Sequence, residues 1–349
     1  MKAFQPDYTN VVKAAYNIKP DRMPLYEHII SVKVMEEILG KEFNDLYYGN
    51  TSEKREFFKN YNNFFKEMGY DTISFECCIG AVMPGSGALG EHKPGVIKNR
   101  ADFERYPWDS VPKLFFEKYS EYFQLLSEEM PEGMKAVGGP GNGLFECVQD
   151  VVGYMDLCYI LADDPELYDD LFNAAGNMMY KIWEQFMQRY GDTYAVLRFG
   201  DDLGFKSSTL LPPEHIKSKI IPWYKKIIEL VHSYNKPFLF HSCGKIFDVM
   251  DALINVAKID AKHSNEDIIA PISFWIDNYG DRIGIFGGVD TDVLCEKNED
   301  EIKEYTKHVI SFAAQTKGFA LGSGNSIPDY VPAKGYLTMV ETARKARGE

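Results

Sequence analysis

Residues 241–243 read His-Ser-Cys, and they stand where the apolar run Pro237–Phe240 gives way to Gly244. An imidazole nitrogen and a thiolate sulfur this close, at the end of a buried strand, make a donor pair that zinc accepts. The pair alone is a weak signal, since cysteine is a common core residue and a strand-end histidine can be satisfied by a hydrogen bond. Other reactive groups recur in similar places. Glu27 and His28 follow "MPLY", and Glu76, Cys77 and Cys78 close "TISFECC". Glu146 follows the glycine-rich "GGPGNG", and Asp201-Asp202 follow "AVLRFG". His263, Asn265 and Glu266, then Asp290, then Ser323 and Asn325 complete the set. Each has a plain structural alternative. Asp201-Asp202 can cap the next segment, "GGPGNG" reads as a tight turn before it reads as a phosphate cradle, and Cys77 and Cys78 read as core residues.

Something must bring these groups together. Eight short apolar runs recur: Met23–Ile29, Thr72–Cys78, Lys135–Gly139, Ala195–Gly200, Pro237–His241, Asp260–His263, Ile283–Val289 and Phe319–Gly322. Longer stretches of helical periodicity separate them. One spans "SEKREFFKNYNNFFKEMG", with Ser52 as N-cap and Gly69 as stop. Another opens with Pro165, a third carries Pro222 and is expected to kink there, and a fourth starts at Asn298. Alternating strands and helices imply parallel strands joined by right-handed crossovers, and eight units imply a TIM barrel. The open doubly wound sheet is the alternative, but no G-x-G-x-x-G turn follows the first run. In a barrel the polar residues named above all fall at the carboxyl ends of strands, where barrel active sites lie.

Composition narrows the function. The 349 residues are 45% hydrophobic and carry a net charge of −14. The acidic surface disfavours nucleic acid. No long apolar run suggests a membrane span or a secretory leader. Six cysteines in a chain this long make no disulfide framework, and the expected compartment is the cytoplasm.

At this point a resemblance emerges. "PFLFHSCGKIFDVMDALINVAKIDAKHSNED" resembles the fifth-to-sixth strand segment of the uroporphyrinogen decarboxylase-like superfamily, and within it the zinc-dependent, corrinoid-linked methyltransferases. "DRMPLYEH", "GPGNGLFECVQDVVGYMDLCYILADDPELYDDLF", "FGDDLGFKSSTLLPPEHIKSKIIPWYKKI", "IGIFGGVDTDVL" and "GFALGSGNSIPDYVP" are similar to other segments of that superfamily, in the same order. The resemblance implies one (β/α)8 TIM-barrel domain over residues 1–349, with an N-terminal helical extension. True decarboxylases carry an arginine-rich "RQAGR" segment that grips porphyrin carboxylates. The matching "DRMPLYEHIISVKVME" has no such pair.

The methyltransferases hold zinc through His-x-Cys and a later cysteine. His241 and Cys243 match the first two ligands, while Asn325 stands where the later cysteine belongs. A carboxylate is the expected replacement, with Glu76 as the first choice and Glu27 as the second; the alternatives are one of Cys77 or Cys78, or a degenerate and empty site. The resemblance further implies Asp202 and His263 as catalytic or orienting groups beside Glu76. Glu27, Asn325 and Asp290 are then the substrate contacts. Fewer thiolates leave zinc more acidic. That favours removal of a methyl group from a methyl ether, such as a methoxylated aromatic, over methylation of a thiol. The methyl group would pass to a corrinoid carried on a partner protein, with a homodimer left open as the assembly. The alternatives are a thiol-methylating enzyme, a metal-free decarboxylase and a non-catalytic ligand-binding barrel.

Overall fold

The computed structural model describes residues 4–349. Seven of the eight expected runs form strands: β1 Thr72–Cys78, β2 Lys135–Gly141, β3 Tyr194–Gly200, β4 Phe238–His241, β5 Ala261–His263, β6 Gly284–Val289 and β7 Phe319–Ser323. They make one parallel sheet in sequence order. Helices connect them, so the chain has the TIM-like α/β build of repeated right-handed crossovers.

The expected eighth strand, Met23–Ile29, is where the barrel reading needs correction. This segment forms only single bridges, Leu25 to Leu321 and, just beyond it, Ile30 to Ile327. Tyr26 N–H donates to the Leu321 carbonyl at 2.8 Å, and Leu321 N–H donates to Pro24 O at 2.9 Å. On its other side the Ser74 hydroxyl of β1 donates to the His28 carbonyl. The segment therefore touches both edge strands without building a ladder. Pro24 supplies no N–H, which removes one rung near its start. The sheet is a curled seven-stranded one, and an eight-stranded barrel is not what the hydrogen bonds describe.

The elements follow their local chemistry. The helix Thr51–Met68 is capped by Asn50 rather than the expected Ser52, in a capping box with Glu53. It ends at Gly69 with φ 88°, a left-handed stop. Asn298 and Glu301 repeat that box at Glu299–Ala313. The kink expected at Pro222 appears as a π-helical turn, Ile216–Ile220, and Pro222 sits in the first turn of the helix Ile221–Ser233. There its missing N–H costs nothing.

Two apolar regions result. The larger lies between the sheet and the outer helices. The smaller fills the inside of the sheet, where Val137, Val196, Leu239, Phe286 and Ala320 meet Val11, Ala14 and Ala15 of the short helix Thr9–Ala15. That N-terminal helix plugs one end of the curled sheet and leaves the strand carboxyl ends as the open face. Among the described residues, no helix is long and apolar enough to cross a membrane.

Candidate metal centre

His241 ends β4 and His263 ends β5, paired in register. Their Nδ1 atoms lie 2.8 Å apart. His263 Nε2 lies 3.1 Å from the Ser323 carbonyl at the end of β7. Burial pushes both imidazoles down, His263 to about 3, so both rings are neutral near pH 7. A carbonyl only accepts, so His263 Nε2 carries its proton and His263 Nδ1 is the lone pair. His241 Nδ1 must then be the donor. By elimination His241 Nε2 is unprotonated, and it faces Cys243 Sγ at 3.5 Å and Asp202 Oδ1 at 3.9 Å. This is the arrangement by which neighbouring groups fix the tautomer of a ligating histidine.

Cys243 is placed by two close approaches. Its N–H donates to Asp202 Oδ1 at 2.8 Å. The next residue, Gly244, has φ 76° and packs on the loop after β3, where a Cβ would come within 2.3 Å of the Gly204 carbonyl carbon. Asp202 is held in turn by Glu146, whose Oε1 accepts the Asp202 N–H at 3.2 Å. Asp201 points the other way. Its carboxyl accepts from the N–H groups of Phe145 and Glu146, each at 2.9 Å, and from the Tyr224 hydroxyl. It caps the helix Leu144–Val152, so the "GGPGNG" turn presents its helix start to a carboxylate already in the chain. Gly143 is needed there, since a Cβ would fall 2.0 Å from that of Asp201. Burial pushes Glu146 and Asp201 up, with repulsion from Asp201 and Asp202 adding at Glu146 and repulsion from Asp202 adding at Asp201.

His241 Nε2, Cys243 Sγ and an Asp202 oxygen offer three donor atoms within 4.8 Å of one another. Tetrahedral zinc with ordinary bond lengths sets its sulfur and nitrogen ligands about 3.5 Å apart. The Cys243–His241 separation matches this, and Asp202 is about half an ångström wide of the corresponding spacing. Burial, with Asp202 and Glu266 nearby, pushes the Cys243 thiol up, and a bound cation would act against that push. A zinc ion fits this donor set.

The other expected residues lie as follows. Glu76, the first choice for the third ligand, is not in this cluster. Arg198 of β3, fully buried, donates to Glu76 Oε2 through Nη2 at 2.7 Å and Nε at 3.1 Å, and to Tyr26 and Ser74 through Nη1. Glu27 is also outside the cluster. It is buried, and its two oxygens meet the Ser323 N–H and hydroxyl. Asp202, expected as an orienting group, is the carboxylate beside the histidine and cysteine. Asn325 Nδ2 lies 3.4 Å from Cys243 Sγ and 3.3 Å from Glu266 Oε1. Asp290 caps the helix Thr291–Glu296 and lines a cavity of about 170 Å³ with Glu266 and Asn325. Cys77 is buried as expected, whereas Cys78 faces a second cavity. Arg198 went unread, although a lone charge inside "AVLRFG" was its signal. His28, whose ring stacks on His241 at 3.7 Å between centroids, was noted only as a strand-end residue.

The URO-D family, uroporphyrinogen decarboxylase, matches residues 62–346. The chain belongs to that family. Among solved structures it is similar to a methyltransferase from Methanosarcina mazei, with 14% identity, a TM-score of 0.72, and 97% of this chain and 98% of that one covered. It is also similar to a vitamin-B12-independent methionine synthase from Listeria monocytogenes, at 16% identity and a TM-score of 0.53, covering 95% and 99%. A β-glucosidase mutant shares the fold at 10% identity and a TM-score of 0.51, covering 93% and 95%. At these identities the likeness is one of fold. No curated protein matches the chain by sequence.

Proposed function

We propose that this URO-D family chain is a zinc-dependent methyltransferase. In this reading it moves a methyl group from the oxygen of a small methyl ether to the cobalt of a corrinoid held by a partner protein. The observation that carries the reading is the convergence of His241 Nε2, Cys243 Sγ and Asp202, with the His263–Ser323 pair leaving that nitrogen free to ligate. The fold of the M. mazei methyltransferase supports it as an analogy.

A bound zinc ion would act as a Lewis acid on the ether oxygen, whose alkoxide or phenoxide is otherwise a poor leaving group. The chain's own residues do the rest. His263 holds the ligating imidazole in one tautomer. Asn325 fills the place of the family's later cysteine with a neutral donor, so the centre carries one thiolate. Glu146 and the Cys243 N–H orient Asp202. The electrons balance simply: the C–O pair stays on oxygen, and the acceptor's own pair makes the new bond to carbon. A proton then neutralises the released oxygen, and in this reading it comes from Glu146, which burial favours in its protonated form beside Asp202.

Decarboxylation is the weaker reading. A polycarboxylate tetrapyrrole needs several cations. The two cavities at this face have one between them, Arg198, and Glu76 already neutralises it.

The test is spectroscopic. The protein is mixed with Co(I) corrinoid and a methoxylated aromatic, and separately with methylcorrinoid and a thiol. Methylation of cobalt in the first mixture is expected. Reaction with the thiol alone would contradict the ether assignment.

A further inference from the structure

A cavity of about 320 Å³ opens between the 28–32 segment, the 3-10 turn Asn44–Tyr48, the helix Thr51–Met68 and β1. That size is within the range of small-molecule sites, roughly 300–1,000 Å³. Five aromatic rings wall it: Tyr47, Tyr48, Phe57, Tyr61 and Phe75. They are already set in the edge-to-face and offset contacts that aromatic rings prefer, with Tyr47 and Phe57 5.0 Å apart and Phe57 and Tyr61 5.4 Å apart. Of these five, Phe75 lies on β1 and the other four lie outside the strands.

The polar end of the cavity is specific. Arg198 spends its donors on Glu76, Tyr26 and Ser74. Glu76 answers with Oε2 alone, and its Oε1 takes no hydrogen bond from the described residues. The ion pair has no net charge. A charged ligand would be desolvated there without a counterion, whereas a neutral one with a hydroxyl would meet an open carboxylate oxygen. His28 lines the same cavity, is 6% exposed, and its Nδ1 is buried without a partner. Its ring is parallel to that of His241 within 9° at 3.7 Å. One imidazole therefore separates the cavity from the candidate ligand.

We propose that this cavity binds the ring of the methyl donor, and that the donor is a neutral, hydroxylated aryl methyl ether. The ring lies among the tyrosines, its hydroxyl donates to Glu76 Oε1, and its methoxyl group reaches past His28 toward His241. This assignment rests on the methyl-transfer reading for the donor's identity, and on the cavity alone for the ring.

The experiment uses calorimetry with 2-methoxyphenol, methoxybenzene and methoxycyclohexane, and follows cobalt methylation in parallel. The variants are Tyr48→Ala and Ile29→Trp, at cavity-lining positions that are 77% and 45% exposed. Wild type is expected to prefer 2-methoxyphenol over methoxycyclohexane by roughly tenfold. Both variants should lose roughly tenfold in affinity and raise KM, with wild-type zinc content. Equal binding of 2-methoxyphenol and methoxycyclohexane, or unchanged affinity in both variants, overturns the ring site even if methyl transfer proceeds, and methoxybenzene bound as tightly as 2-methoxyphenol overturns the hydroxyl contact to Glu76. Binding that the variants weaken, without any methyl transfer by wild type, upholds the ring site and sinks the reaction.

Discussion

Glu27 carries an acid group in a place that favours its neutral form. It is 1% exposed, and burial pushes its carboxyl up to about 8, against the pull of its Ser323 hydrogen bonds. An unfolded chain would release that proton near pH 4.5. Between about 4.5 and 8 the folded state thus holds a proton that the unfolded state has lost, so stability falls as pH rises through this window. Buried Lys262, pushed down to about 7, works in the opposite direction above that pH. The comparison must therefore be with Glu27→Gln. The melting temperature of the wild type should fall more than that of the variant across the Glu27 window, and parallel slopes would refute the assignment. The sequence made Glu27 legible as a carboxylate at a segment end. It could not reveal that Ser323, nearly the whole chain away, closes over both of its oxygens.

Elements decide which strand-end residues meet. Arg198 on β3 reaches across to Glu76 and Ser74 on β1 and to Tyr26 on the bridging segment. It ties three elements inside the sheet. Replacing it with Met would leave Glu76 without its one strong partner among the described residues, at a cost of about 3 kcal/mol or more. A denaturant midpoint within error of the wild type would show that the tie is not structural. The same pairing explains why Glu76 lies outside the cluster of His241, Cys243 and Asp202. Its position at the end of β1 was readable from alternation, but its partner lay on a strand with no sequence signal linking the two. Asp202 reads more easily in hindsight, since Asp201-Asp202 must split between a helix cap and the open face. Seven strands were legible because they are apolar and flanked by turn residues. The Met23–Ile29 run has the same composition, yet Pro24 and single bridges keep it from becoming a strand. The capping boxes at Asn50 and Asn298 obey one local rule. The first was misread by two residues because Ser52 is as good a cap by composition as Asn50.

At the scale of the molecule, the N-terminal helix closes one end of the sheet and all the candidate chemistry lies at the other. The centre is flanked by an aromatic cavity reached past His28 and an acidic one reached past Asn325. The fold was legible from the alternation of runs, and the His241–Cys243 pair from its spacing. The placing of Asp202 beside that pair and the aromatic walls were not, because they depend on how loops from distant positions fold over one face. In the proposed function this face holds a metal. Its most direct test is zinc content by elemental analysis of the wild type, Cys243→Ser and His263→Leu after equilibration with zinc. About one zinc per wild-type chain is expected, with loss in Cys243→Ser and affinity weakened by roughly 10–100-fold in His263→Leu. A wild type that retains no zinc, or a Cys243→Ser variant that retains as much, would contradict it.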